Sequence, residues 1–279
     1  MIIRCWGARG SVPVSGSEYL KYGGDTCCVE VETAGGASLV IDAGSGIRRL
    51  GNKIIEDGRR EVNMFFTHSH WDHILGFPFF KPIYLDGMRL NMFGCPYTQE
   101  SIKRMLSRTM SYPNFPVRLE DVKADIFFHE TCAERIMIHD AAISSIALSH
   151  PNHSTGYKIV ADGKTFVFFT DHELGYDHPG SRSHAEYIEF VSGADLLVHD
   201  SEYSERDYPA KMAWGHSIFT RALEFAVEAK VGAFGLFHHN QERTDSQIDA
   251  MVRECEDILV KKNSKMRCFA VRQDMEVRL

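Results

Sequence analysis

The chain has 279 residues, 44% of them hydrophobic and 25% charged, which supplies enough apolar surface for a sizeable core and excludes a disordered, collagen-like or membrane composition. Its 38 acidic residues outnumber 31 basic ones, and the net charge of −7 excludes a generalised basic surface for long nucleic acid. Seven cysteines without a CxxC pair, an N-terminus without a leader pattern and the lack of an apolar run near ~20 residues point to a cytoplasmic chain with no membrane span and no disulfide scaffold.

In chain order, β-branched and aromatic runs bounded by Gly, Asp and Asn predict strands over 28–32 and 38–42, followed by a helix over 45–56 and a strand over 62–67. A helix is expected over 100–109 and strands over 135–138, 143–148, 157–160 and 165–170. A helix over 183–191, a strand over 196–198, a helix over 217–230, a strand over 233–237, a helix over 246–261 and a strand over 267–271 complete the pattern. Strands first, then alternating helices and strands, predict layered α and β elements. No linker, long repeat or low-complexity tract divides them, so one domain over 1–279 is expected. Residues 81–140 contain Pro82, Pro96, Pro113 and Pro116 but no chemical motif, and read as an elaboration around the core.

The most informative stretch is Thr67-His68-Ser69-His70-Trp71-Asp72-His73, directly after the apolar run Met64-Phe65-Phe66. A strand ending in a turn can splay alternate side chains toward one point, and imidazole mixed with carboxylate suits zinc, manganese or iron. This stretch resembles the HxHxDH motif of the metallo-β-lactamase superfamily, and the likeness runs the length of the chain. Asp42, ending the run Leu39-Val40-Ile41, matches the family's strand-end Asp before Gly and is expected to brace the histidine loop from behind. His150, six residues before the pair Gly156-Tyr157, matches the third motif, with His153 as the competing choice. Asp171, at the end of Phe166-Val167-Phe168-Phe169, matches the carboxylate that bridges two metals. His238 matches the last ligand, with His239 as the alternative.

The resemblance implies an α/β fold, a four-layer αββα sandwich with mixed sheets inside and helices on the outer faces. It implies two divalent metal ions, zinc before manganese or iron, with His68, His70 and His150 on one, Asp72, His73 and His238 on the other, and Asp171 between them. Open coordination positions imply hydrolysis rather than a structural site.

Trp214-Gly215-His216-Ser217 resembles the His-Ser/Thr element of ribonuclease Z-like phosphodiesterases, which makes His216 the candidate general acid; Asp72 of the HxHxDH-like stretch is the second candidate catalytic residue. A capping role for His216 or Ser217 at the following helix is the plainer alternative. Arg9, in a glycine-rich opening loop, is read evenly as a phosphate partner or part of an ordinary turn. His199 and Asp200 read as a strand-end turn that could stand behind the metals, and His172, His178 and His184 as a solvated polar loop. Phe77, Phe79, Phe80, Tyr112 and Phe115 are expected mainly in the core, with base stacking as the alternative.

Ribonuclease Z itself grips transfer RNA with an arm between the third and fourth motifs. Only 20 residues separate His150 from Asp171, leaving no room for that arm. The expectation is therefore a phosphodiesterase acting on a small phosphodiester such as a cyclic nucleotide, with a homodimer favoured by analogy. An ester, thioester or lactone hydrolase on the same metals, or a metal-binding sensor without turnover, are the rival readings.

Overall fold

The computed structural model describes residues 1–94, 101–130 and 135–279. Cys95, Pro96, Cys132 and the expected helix start at residue 100 lie outside them. The first half contains β1 (Ile2–Gly7), β2 (Cys28–Glu32), β3 (Ser38–Ile41), α1 (Ile47–Glu56), β4 (Glu61–Phe65), the one-turn α2 (Trp71–Ile74), β5 (Arg89–Gly94), α3 (Ile102–Thr109) and β6 (Asp125–Glu130). The second half contains β7 (Ile136–Ile138), β8 (Ala141–Leu148), β9 (Ser154–Ala161), β10 (Lys164–Phe169), α4 (His184–Val191), β11 (Leu196–Asp200), α5 (Phe219–Glu228), β12 (Ala233–Phe237), α6 (Asp245–Lys261), β13 (Arg267–Ala270) and β14 (Met275–Arg278).

Two mixed sheets of seven strands result, ordered β14-β1-β2-β3-β4-β5-β6 and β13-β12-β11-β10-β9-β8-β7. The last strand of the chain crosses back to pair antiparallel with β1. Alternation along each strand sorts side chains into layers. Leu39 and Ile41 face inward with Ile3, Val31 and Phe65, where they meet Ile159, Phe166, Phe168, Val198 and Phe237 of the other sheet. Val40, Val62 and Met64 face outward onto Ile47, Leu50 and Ile54 of α1 and Met105 of α3. On the opposite side Val167, Leu197 and Phe234 meet α4, α5 and α6 through Tyr187, Leu223 and Ile248. The layers are therefore helix, sheet, sheet, helix, as the sequence implied. No helix among the described residues is long and apolar enough to cross a membrane.

Four strands were not predicted. Arg4 interrupts β1 and pairs with Glu32 and Glu276, and charged residues alternate with apolar ones in β14, so neither strand shows a continuous apolar run. β5 and β6 are parallel additions beyond β4, and their pairing depends on partners distant in sequence.

The topology concentrates strand ends. β3 runs parallel to β4, and β10, β11 and β12 run parallel to one another, while β8 is brought into the β10 direction by two antiparallel pairings through β9. Their carboxyl ends release the segments holding Asp42, His68 to His73, His150, Asp171, Asp200 and His238, the edge at which open α/β sheets bind ligands. Phe168 is fully buried between the sheets and meets Phe237 edge to face at 5.1 Å. Phe168→Ala is expected to lower the unfolding free energy by about 3–5 kcal/mol, measured as a lower urea midpoint with an unchanged denaturant slope.

Candidate metal centre

Three strand ends turn sharply at the centre. Asp42, Asp171 and His238 have φ of 64°, 54° and 59°. Left-handed backbone is uncommon for residues other than glycine, and it persists only where the surroundings hold it. Here each turn swings a side chain from the strand direction into the gap between the sheets. The expected ligands fall into two groups of potential ligand atoms, each within 4.8 Å of one another: His68, His70, His150 and Asp171, and Asp72, His73, Asp171 and His238. Asp171 belongs to both. Its Oδ1 lies 3.5 Å from His68 Nε2 and 3.9 Å from His150 Nε2, while its Oδ2 lies 3.1 Å from His73 Nε2 and 3.4 Å from His238 Nε2. Asp72 Oδ2 lies 3.2 Å from His73 Nε2 and 3.0 Å from His238 Nε2.

The residues suit a divalent cation on two grounds. His68 Nε2 and His73 Nε2 are buried with no hydrogen-bond partner, an arrangement otherwise costly. The protonation chemistry also agrees. Burial and the neighbouring charge of His73 hold His68 well below the usual imidazole range, and burial drives His150 down to about 3, leaving neutral rings with lone pairs. On the other side, burial works against charge on His73 and His238, but Asp72 and Asp171 outweigh it and drive both well above the usual range. Those carboxylates demand positive charge, which protons supply when no cation does.

The ring nitrogens facing away from the centre are fixed. His73 Nδ1 is 2.7 Å from Asp42 Oδ2, and the same carboxylate accepts the Thr67 amide and hydroxyl at 2.8 Å each. His150 Nδ1 donates to Gly215 O at 3.0 Å, and His238 Nδ1 to Glu202 Oε2 at 2.9 Å. Such partners set ring orientation and raise ligand basicity. Two glycines permit the close approach: a Cβ on Gly10 would meet the His238 ring, and one on Gly215, whose φ is 96°, would meet His150 Nδ1.

His216 lies against this centre, its ring stacked on His238 with centroids 4.7 Å apart and edge-on to His150. Its Nδ1 is 2.7 Å from Asp200 Oδ2 and 3.5 Å from Glu202 Oε2. Burial opposes charge on His216, but Glu202 and Asp200 prevail and push its pKa up to about 9. It does not cap a helix, because α5 begins at Phe219 and the Ser217 hydroxyl instead accepts the Leu174 amide.

Several expectations need correction. His172 is buried, turned toward the helical layer and bonded to His199 at 3.1 Å, with Tyr187 edge-on to its ring. His178 is buried 2.8 Å from Glu173, and His184, though exposed beside Glu228, is the first residue of α4 rather than part of a loop. Asp200 is more than a turn residue, since it accepts from His216 and from the Ser217 and Glu202 amides. Arg9 is a structural brace whose guanidinium donates to Gly23 O, Asn240 O and Arg243 O. His153 packs beside Gly180 and His239 donates to Val271 O, so neither joins the two groups. Phe77 and Phe80 are core residues, whereas Phe79 and Tyr112 are exposed.

The sequence reading assigned no role to Glu173 or Glu202. Glu173 is buried and accepts from Tyr208, the Ala213 amide and the Gly215 amide, which ties down the loop holding both Gly215 and His216. The only sequence signal for either was an acid just beyond a buried strand, where ordinary turns also place acids.

A family model for the beta-lactamase superfamily domain matches residues 38–239, and the chain belongs to that family as a metal-dependent hydrolase. Ribonuclease Z of Bradyrhizobium sp. (strain ORS 278) is 26% identical over 270 residues, covering 79% of this chain and 86% of that protein, which sets the chain in the ribonuclease Z-like branch. The fold is shared with the metallo-β-lactamase fold protein YhfI from Bacillus subtilis, at TM-score 0.70 and 15% identity over 99% of this chain and 98% of that one. A diphosphatase from the PhnP family superposes at TM-score 0.68 and 16% identity, covering 100% of this chain and 97% of the other. Because Glu202 holds His238 from behind, Glu202→Gln is expected to weaken divalent metal affinity about 10- to 100-fold, measured by chelator competition.

Proposed function

We propose that this hydrolase is a phosphodiesterase that uses two divalent cations, zinc before manganese or iron, on a small phosphodiester. The observation that carries the reading is Asp171, whose two oxygens face different ligand groups, together with His216 set beside both. His68, His70, His150 and Asp171 Oδ1 would hold one cation, and Asp72, His73, His238 and Asp171 Oδ2 the other. Such a pair supplies a water acidified toward neutrality and neutralises phosphoryl charge.

The chain's own residues do the rest. Asp72, a buried acceptor already taking the Ser11 amide at 2.8 Å, orients the attacking water. His216, protonated at Nδ1 against Asp200, presents its Nε2 proton to the departing alkoxide. Asp200 and Glu202 stabilise that imidazolium and fix its plane, so the proton is available without reorganisation. Burial of Asp171, His150 and His238 limits competing water at the reacting centre.

A small substrate is favoured by the chain between His150 and Asp171, which is consumed by the β9–β10 hairpin and leaves no projecting arm. The net charge of −7 supports the same choice. The names of the ribonuclease Z and diphosphatase relatives support phosphorus–oxygen cleavage over carboxylic ester chemistry.

The test is a panel of cyclic nucleotides, dinucleotides and carboxylic and thioesters, assayed with defined metals. Turnover confined to carboxylic or thioesters replaces the reading, and turnover of none removes it. His216→Ala is expected to lower kcat about 10²- to 10⁴-fold on phosphodiesters with poor leaving groups, and much less when the leaving group is p-nitrophenolate, which departs without a proton.

A further inference from the structure

The segment that carries His68, His70 and Asp72 also borders a cavity. Ser69 and Trp71, interleaved between those residues, line a cleft of about 550 Å³ that Phe79, Thr109, Asn114 and Phe115 close on the other side. This lies within the ~300–1,000 Å³ range of small-molecule sites. Trp71 is 81% exposed and Phe79 56% exposed, although Phe77 and Phe80 on either side of Phe79 are fully buried. Fold stability gives no reason to hold an indole and a phenyl ring in water beside a catalytic centre. The rings of Phe79 and Phe115 meet edge to face, with centroids 5.6 Å apart, an arrangement that leaves an aromatic face free to stack.

We propose that this cleft takes the nucleobase of the substrate whose phosphodiester is bound between the two ligand groups, an inference that rests on the phosphodiesterase reading. Aromatic faces recognise planar rings, and the Ser69 hydroxyl and Asn114 carboxamide offer donors and acceptors to ring edges. A single molecule reaching both sites must join a planar heterocycle to a phosphodiester, which describes a nucleotide. A sugar phosphate or a phosphorylated alkyl chain would leave the aromatic walls unstacked.

The metal-loaded protein is assayed on adenosine 2′,3′-cyclic phosphate and on the methyl riboside 2′,3′-cyclic phosphate, which lacks the base. The expected result is a preference for the base-bearing substrate that falls about tenfold or more, as the ratio of the two kcat/KM values, in both Trp71→Leu and Phe79→Ala. Phe79 stands outside the ligand loop, so agreement between the variants separates lost stacking from a disturbed metal centre. No preference in the wild type, or a ratio unchanged in the Phe79 variant, overturns the proposal. Binding of adenosine is followed separately by tryptophan fluorescence. A quench that disappears in Trp71→Leu and shifts to at least about tenfold higher adenosine in Phe79→Ala supports the base site. A quench that survives Trp71→Leu, or no quench at all, overturns it. Failure to hydrolyse any phosphodiester removes the function proposed above, and the fluorescence titration then decides the base site by itself.

Discussion

Asp42, Asp72, Asp171, Asp200 and Glu202 all come to one edge of the sandwich, each less than 5% exposed. A carboxylate taken out of water must be met by hydrogen bonds or positive charge, or folding loses several kcal/mol for each one left uncompensated. The structure answers with three imidazoles, His73, His216 and His238, and with amides from Thr67, Ser11, Glu202 and Ser217. That compensation is conditional. The carboxylates at the centre hold His73 and His238 protonated in the absence of a cation, so the same charges that strain the fold create its affinity for metal.

The strand ends show how this charge is held in place. Asp42, Asp171 and His238 leave their strands through left-handed backbone, and the sheets behind them are packed on both faces. A rigid core can hold strained turns because the side chains below cannot relax to relieve them. The loops then borrow rigidity from buried acids. Glu173 fixes the Gly215 amide, the Gly215 carbonyl orients His150, and His216 follows in the chain on the Asp200 carboxylate. One loop thus couples a histidine proposed as a metal ligand to the residue proposed to donate the proton.

Helices with an amphipathic period were legible from sequence, and α1, α4, α5 and α6 lie where the pattern placed them, with ends shifted by one or two residues. In the structure, capping boxes of Ser183 with Glu186 and Thr244 with Gln247 set the starts of α4 and α6. Buried strands such as β3, β4, β10 and β12 were legible as apolar runs. β1 and β14 were not, since their stability comes from pairing between the two ends of the chain and from ion pairs across it. Arg9 shows the same limit: a guanidinium near a glycine-rich loop reads as an anion partner, yet three backbone carbonyls from distant segments claim it.

By itself the sequence determined which side chains have ligand chemistry and where each stands relative to its strand, because a local run of residues carries both the strand and the polar residue that ends it. It therefore carried the grouping around His68, His70, Asp72 and His73, and the motif order carried His150, Asp171 and His238. Only the tertiary structure decided which residues stand behind them. Glu173, Asp200 and Glu202 meet the Gly215 amide, His216 and His238 through contacts between residues 16 to 42 positions apart, and His172 turns toward the helices while Asp171 beside it faces the centre. The physical reason is that a carboxylate's role depends on what replaces its water, and the replacing groups come from other strands and loops that only the packed sheets bring together.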